Sequence, residues 1–308
     1  MDAVRERVHV FGRNRSLIGI VSEPAAGPWR NVAVVIPNAG IIHRVGPSRF
    51  VVEVGRALAR AGYRVIRFDL SGIGDSPWSP ESATLEEIIR LDLQDAVELA
   101  VRDQRAGAVA FLGLCSGADN SIVAAFTERR VRGLVLIDPT VYPTRGFHVR
   151  RTLRRLRSPR SWWSVVSGRS LFLRLRARLS PPPTPPPHLD RSVPTVAEQA
   201  RMIAAMSARQ VRFLYVLTSG AHVYCNHPRQ VVESLPGAFG PSSLRVEWRP
   251  EADHLLSRAT DRQWLVAVLQ DWLAELQEDA GSGGPPSRRG ALGGPGQGSA
   301  PSMWAARS

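Results

Sequence analysis

Cysteine is scarce in this chain. Two residues, Cys115 and Cys225, among 308 cannot build a disulfide framework. That excludes the small cross-linked secreted scaffolds and suits a reducing compartment. Long apolar runs are also missing. None approaches the roughly 18 residues of a membrane-spanning helix, and the opening "MDAVRERVHVFGRNR" has no apolar centre of the kind a secretory signal needs. Acidic residues are lacking where basic ones are densest: Arg145 to Arg178 holds eleven arginines and no Asp or Glu. That segment carries most of the formal net charge of +13, and the remainder is close to balanced. A uniformly basic nucleic-acid coat is therefore excluded. Without an aromatic-rich readout surface or a binding motif, nucleic acid is not expected as a partner. No metal and no cofactor is expected either. The cytoplasm is the expected location, with attachment at a membrane periphery as an option that the basic segment opens.

What the sequence does hold is an alternation of two periodicities. "NVAVVIP" (Asn31–Pro37), "YRVIRFDL" (Tyr63–Leu70), "AVAFLGLC", "VRGLVLID", "VRFLYVL" (Val211–Leu217) and "SLRVEWRP" (Ser243–Pro250) read as short strands. Between them lie amphipathic stretches with helix signals. Phe50, Val51, Val54, Leu58 and Ala61 recur at helical spacing before Gly62, and a Ser or Thr cap precedes "LEEIIRLDLQDAVELAVRDQ". Strands interleaved with helices in this way predict an α/β fold with a mostly parallel sheet, helices on both faces and crossover connections. The rhythm breaks after Val141. Residues 142–208 read as a basic, helical insertion with the polyproline-type stretch "SPPPTPPPHLD" (Ser180–Asp190) inside it. The core is thus expected to comprise residues 1–141 and 209–278. From 279 to 308 the Gly-, Pro- and Ser-rich tail cannot bury a core and is expected to be disordered.

One turn carries chemistry. "AFLGLCSGADN" (Ala110–Asn120) runs from a buried strand into a helix through a Gly-flanked corner, the setting of a nucleophile elbow. Such an elbow needs small residues two before and two after the nucleophile, because the strand and helix backbones nearly touch there. Centred on Cys115 the flanks are Gly113 and Gly117; centred on Ser116 they are Leu114 and Ala118, and leucine is too large. Register therefore selects Cys115, whose thiol would form a thioester when paired with an imidazole. The plainer reading is a small buried apolar residue.

Among seven histidines, His254 in "RPEADHLLS" stands after the last strand and before the last helix. There a base that follows its nucleophile late in the chain would be placed. Its neighbour Asp253 reads as a loop-shaping residue. Oxyanion donors are expected from the backbone of Ser116 and from Asn38, Ala39 and Gly40 in "PNAGIIHRVG", with His43 or Arg44 at the mouth or simply solvated. For the acid, the loop after "VRFLYVL" offers no carboxylate in "TSGAHVYCN". Asp138, ending "VRGLVLID", is the candidate, with a purely structural role as its alternative.

These segments, "GRALARAGYRVIRFDLSGIGDS", "GLCSGAD" and "EADHLLS" in this order, resemble the α/β-hydrolase superfamily. More narrowly, "HRVGPSRF", "SWWSVVSGRS" and "PEADHLLSRA" are similar to hydrolases associated with exosortase A gene clusters, over roughly Asn31 to Leu276. The resemblance implies the Cys115–His254 pair and acyl hydrolysis or transfer. It also implies an acid within a Ser-Gly-x-Asp turn, where this chain reads Ser219-Gly220-Ala221-His222, and a cap formed by the insertion. The substrate would be a small-molecule or carrier-bound acyl ester or thioester. The arginine-rich cap would suit an anionic membrane surface or an acyl-carrier protein. A hydrolase fold degraded into a binding module is the competing expectation, motivated by that departed acid.

Overall fold

The structure is a computed structural model and describes residues 3–27, 29–78, 83–156 and 193–282. Eight strands form one sheet in the order β1-β2-β4-β3-β5-β6-β7-β8. They are β1 (Val4–Phe11), β2 (Leu17–Pro24), β3 (Val32–Ile36), β4 (Arg64–Phe68), β5 (Ala108–Leu114), β6 (Val131–Ile137), β7 (Arg212–Leu217) and β8 (Leu244–Trp248). The β1–β2 and β2–β4 pairs are antiparallel, and every other pair is parallel. The mostly parallel α/β architecture read from the sequence is present, with an N-terminal hairpin added at one edge.

The two innermost strands, β3 and β5, carry no polar side chain because both of their faces are covered. Along β5, Ala108, Ala110, Leu112 and Leu114 point to one core, and Val109 and Phe111 to the other. The first core is closed by helix α1 (Phe50–Arg60), through Phe50, Val54 and Leu58, and by the last helix, through Leu265, Leu269 and Trp272. The second is closed by α2 (Leu85–Glu98), α3 (Ser116–Thr127) and the helix before β7. Thr84 caps α2 by accepting the N–H of Glu87 at 3.3 Å, satisfying one of the first-turn donors that a helix leaves unpaired.

The stretch from 142 onward divides in two. Helix α4 (Arg145–Leu156) holds the first of the arginines, and Arg151 and Arg154 are exposed on it. Helix α5 (Val196–Ala208) opens with a capping box between Thr195 and Glu198 and buries Gln199, Ile203 and Met206. Ile203 and Met206 belong to the same core as Ile122 and Ala125 of α3. So α5 is the crossover helix that carries the parallel connection from β6 to β7, and it packs as part of the core. The remaining arginine-rich residues and the proline-rich stretch, 157–192, lie outside the described residues. The short helix α6 (Gln230–Ser234) follows β7, and α7 (Ala259–Ser282) ends the described chain; residues 283–308 of the expected tail also lie outside it. Among the described residues, no helix is long and apolar enough to cross a membrane.

Candidate active site

At the C-terminal end of β5 the chain turns sharply into α3, and Cys115 sits at the corner with φ 54° and ψ −119°. This is a conformation that a non-glycine residue adopts only when its surroundings force it. The flanking glycines show why the corner can exist. A Cβ on Gly113 would lie 2.4 Å from the backbone of Gly117 and Ala118, and one on Gly117 would lie 2.6 Å from the carbonyl oxygen of Asn38. The turn thus holds Cys115 exposed at the strand end, at the N-terminus of α3, where the helix dipole favours a negative charge.

One residue distant in sequence meets it, and a second stands behind that one. His254, in the loop between β8 and α7, hydrogen-bonds the Cys115 thiol, and its Nδ1 lies 2.8 Å from Oδ2 of Asp138. Asp138 immediately follows β6, with its side chain fully buried and its backbone at φ 45°. Its carboxylate is fixed from behind: Oδ1 accepts the N–H of Thr218 at 2.7 Å, and Oδ2 also accepts the Thr218 hydroxyl. Tyr224 donates its hydroxyl to the Asp138 carbonyl at 3.1 Å. The sequence left Asp138 open between acid and loop residue; the fold places it against His254.

The electrostatics follow from this geometry. The hydrogen bond to Asp138, with a second to Cys115, pushes the His254 pKa up to about 10, against the opposing effect of burial. The hydrogen bond from His254 holds the Cys115 thiol below the usual cysteine range; burial opposes this, while the imidazolium charge and the Ser116 N–H add to it. Each partner thus favours the charged form of the other. Cys225, by contrast, is buried and its thiol is pushed up to about 11, which leaves it inert.

The loop after β3 faces the elbow, but its residues divide in role. Asn38 is buried and spans the loop: its amide nitrogen donates to the Ile42 carbonyl at 2.8 Å, and its amide oxygen accepts the Leu70 N–H at 2.6 Å. Ala39 forms a bridge with Ile42. Gly40 donates its N–H to the Ser116 hydroxyl at 2.6 Å, so the expected backbone donor is already engaged by a side chain. Arg44, left open between the mouth and solvent, clamps Asp69 and Asp75. Asp253 accepts the N–H groups of Leu255 and Ser257 and so shapes the His254 loop, as its position suggested.

The β7 loop holds what sequence reasoning missed. His222, in place of the resemblance's acid, lies with its ring 5.6 Å from that of Trp248 and takes no part in the Asp138–His254 contact. Gly220 is the more consequential residue. A Cβ there would stand 2.4 Å from His254 Nδ1 and 2.7 Å from Asp138 Oδ2, so only glycine lets this loop pass behind the pair. The Ser-Gly step in "TSGAH" was the available signal. Thr218, the clamp on the carboxylate, carried none.

Comparison with known proteins agrees with this architecture. An esterase of Pyrococcus furiosus aligns with a TM-score of 0.56 at 14% identity, over 90% of this chain and 93% of its own. The esterase domain of a Rhodothermus marinus protein gives 0.54 at 17% identity, over 89% and 99%. An α/β serine hydrolase without lid from Xanthomonas campestris gives 0.51 at 15% identity, over 88% and 94%. Likeness at such identities is one of fold. A search of curated proteins gave no match. At the level of sequence families, residues 35–219 match the one described as "Serine aminopeptidase, S33". The chain belongs to that family, and thereby to the α/β-hydrolase superfamily.

Proposed function

We propose that this protein is an acyl ester or thioester hydrolase, or an acyltransferase, that works through a cysteine in place of serine. The observation that carries the reading is the chain of contacts from Asp138 through His254 to a thiol held in a strained, glycine-flanked turn. The Cys115 thiolate attacks the acyl carbonyl, forming a C–S bond while the carbonyl electron pair moves onto oxygen. The N–H of Ser116 and the backbone of Asn38 and Ala39 are the donors this reading assigns to that oxyanion, with the Gly40 N–H held instead by the Ser116 hydroxyl. Collapse of the intermediate expels the alcohol or thiol leaving group, which takes its proton from His254. Water or another acceptor, deprotonated by His254, then attacks the thioester and regenerates the thiolate. Asp138 keeps the imidazole in one tautomer and orientation throughout.

Asp138 within hydrogen-bond reach of His254 supports an enzyme over a binding module, since that alternative was motivated by the lack of an acid after β7. Within the superfamily, the Gly-Leu-Cys elbow favours the exosortase-associated group. The exposed arginines of α4 support a carrier-bound acyl substrate or an anionic membrane surface as partner, with the protein peripheral to that membrane. The test is intact-mass measurement after exposure to activated acyl esters and thioesters. The expected result is one acyl adduct that maps to Cys115 and is absent in Cys115→Ala. Unchanged turnover in that variant would overturn the proposal.

A further inference from the structure

The hydroxyl of Ser116 is not explained by the fold. Ser116 is the first residue of α3, and its side chain reaches across to the β3 loop, where its oxygen accepts the Gly40 N–H at 2.6 Å. A hydroxyl that accepts one hydrogen bond still has a proton to give. Among the described residues it donates to no acceptor, although it is only half-buried beside an exposed thiol. The contact also engages one of the amides that should face an oxyanion. Gly40 has open space around it, with nothing within 4 Å of where a Cβ would stand, so steric crowding does not force the loop onto Ser116. The arrangement has a direction: the Gly40 amide points into the hydroxyl, and the hydroxyl proton is left to point out of it.

We propose that the Ser116 hydroxyl is a catalytic side-chain donor to the oxyanion, acting as a relay for the Gly40 amide. This rests on Cys115 being the acyl nucleophile. When the sulfur–carbon bond forms and the carbonyl pair moves onto oxygen, the hydroxyl donates to that oxygen without giving up its proton, beside the Ser116 N–H. The Gly40 amide behind it polarises the O–H, because hydrogen bonds in a chain reinforce one another. On collapse the carbonyl re-forms and the hydroxyl is unchanged. One residue thus contributes two donors, and the residue that register excluded as nucleophile becomes part of the machinery beside it.

Two reagents separate this role from any effect on the thiol itself. A p-nitrophenyl acyl ester reacts through an oxyanion; iodoacetamide alkylates a thiolate by displacement and forms none. Ser116→Ala is expected to slow acylation by about tenfold to a hundredfold, while alkylation of Cys115 proceeds at the wild-type rate. Ser116→Thr, which keeps a hydroxyl, should recover most of the acylation rate. Equal acylation in Ser116→Ala and wild type would overturn the proposal and leave the Cys115 reading intact. So would a parallel loss of both reactions, which would place Ser116 on the thiolate, or a failure of threonine to rescue. A wild-type protein that is alkylated but never acylated at Cys115 would overturn both.

Discussion

Asp138 and His254 stand 116 positions apart in the chain and 2.8 Å apart in the fold. The carboxylate comes from the end of β6, one strand away from the β7 loop in which the exosortase-type turn would carry it. Asp138→Asn keeps the side-chain shape and an oxygen for the Thr218 N–H, but removes the charge that orients the imidazole. Turnover of a p-nitrophenyl ester is expected to fall by about 10² to 10⁴-fold, with the protein still folded by circular dichroism. Wild-type turnover in this variant would count against Asp138 as the acid.

The ionisation of the pair has a definite sign. A lowered thiol pKa means that the thiolate persists below the ordinary value of 9.0 and is lost only as pH falls through the lowered one. Iodoacetamide alkylation of Cys115 should therefore have its pH midpoint below 9.0, and in His254→Ala that midpoint should move up toward 9.0. The raised imidazole works the other way. Its contribution to stability is fully present below the ordinary value of 6.5 and lost as pH rises through about 10. The thiol's contribution is fully present above 9.0 and lost on acidification. The difference in Tm between wild type and His254→Ala should accordingly shrink as pH is raised from 6.5 toward about 10.

Gly220 offers a steric probe. Ala in its place would bring a methyl within 2.4 Å of His254 Nδ1 and 2.7 Å of Asp138 Oδ2, so the two must separate or the loop must shift. Such overpacking costs about 1–3 kcal/mol, read as a lower Tm. On the proposed mechanism acylation should fall more steeply than Tm alone explains, since the displaced atoms are those of the proposed base and its partner. A Gly220→Ala enzyme of full activity would show that the loop yields instead.

His222 supplies the complementary control. Its ring neighbours Trp248, away from the Asp138–His254 contact. His222→Asp should therefore leave ester turnover within about twofold of wild type, because the half-buried ring it removes touches Trp248 and not the pair. A large gain would mean that Asp138 is a poor acid and that the β7 loop can still supply one.

Much of the site was legible because steric demands are written in residue size. The spacing of Gly113 and Gly117 around Cys115 has one structural meaning, and the place of His254 between the last strand and the last helix narrowed seven histidines to one. The proposed acid was less legible. A carboxylate at a strand end faces the site only if its backbone turns, and the φ of 45° at Asp138 cannot be read from residue type. The β1–β2 hairpin went unseen for a related reason. Glu6 turns partly inward to meet Ser22, Arg56 and Arg67, whereas Val8 and Val10 face solvent, so the apolar alternation that marks a strand is scrambled. The span from 142 to 208 reads as one basic insertion by composition. Only packing reveals that Ile203 and Met206 tie its last helix to α3.

The clamp on Asp138 ties chemistry to the seam between two strands. Its N–H donates to the Val216 carbonyl, and its carboxylate accepts the Thr218 amide, so the proposed acid is held by the same ladder that joins β6 to β7. Fraying of that seam would free the carboxylate while leaving the elbow, built on β5, in place. On the proposed mechanism, partial opening should therefore abolish turnover before it abolishes the thiol's exposure. Warming should then pass through a state that still takes up a thiol label but no longer transfers acyl groups, and the gap between the two losses reports how tightly β6 and β7 are sewn together.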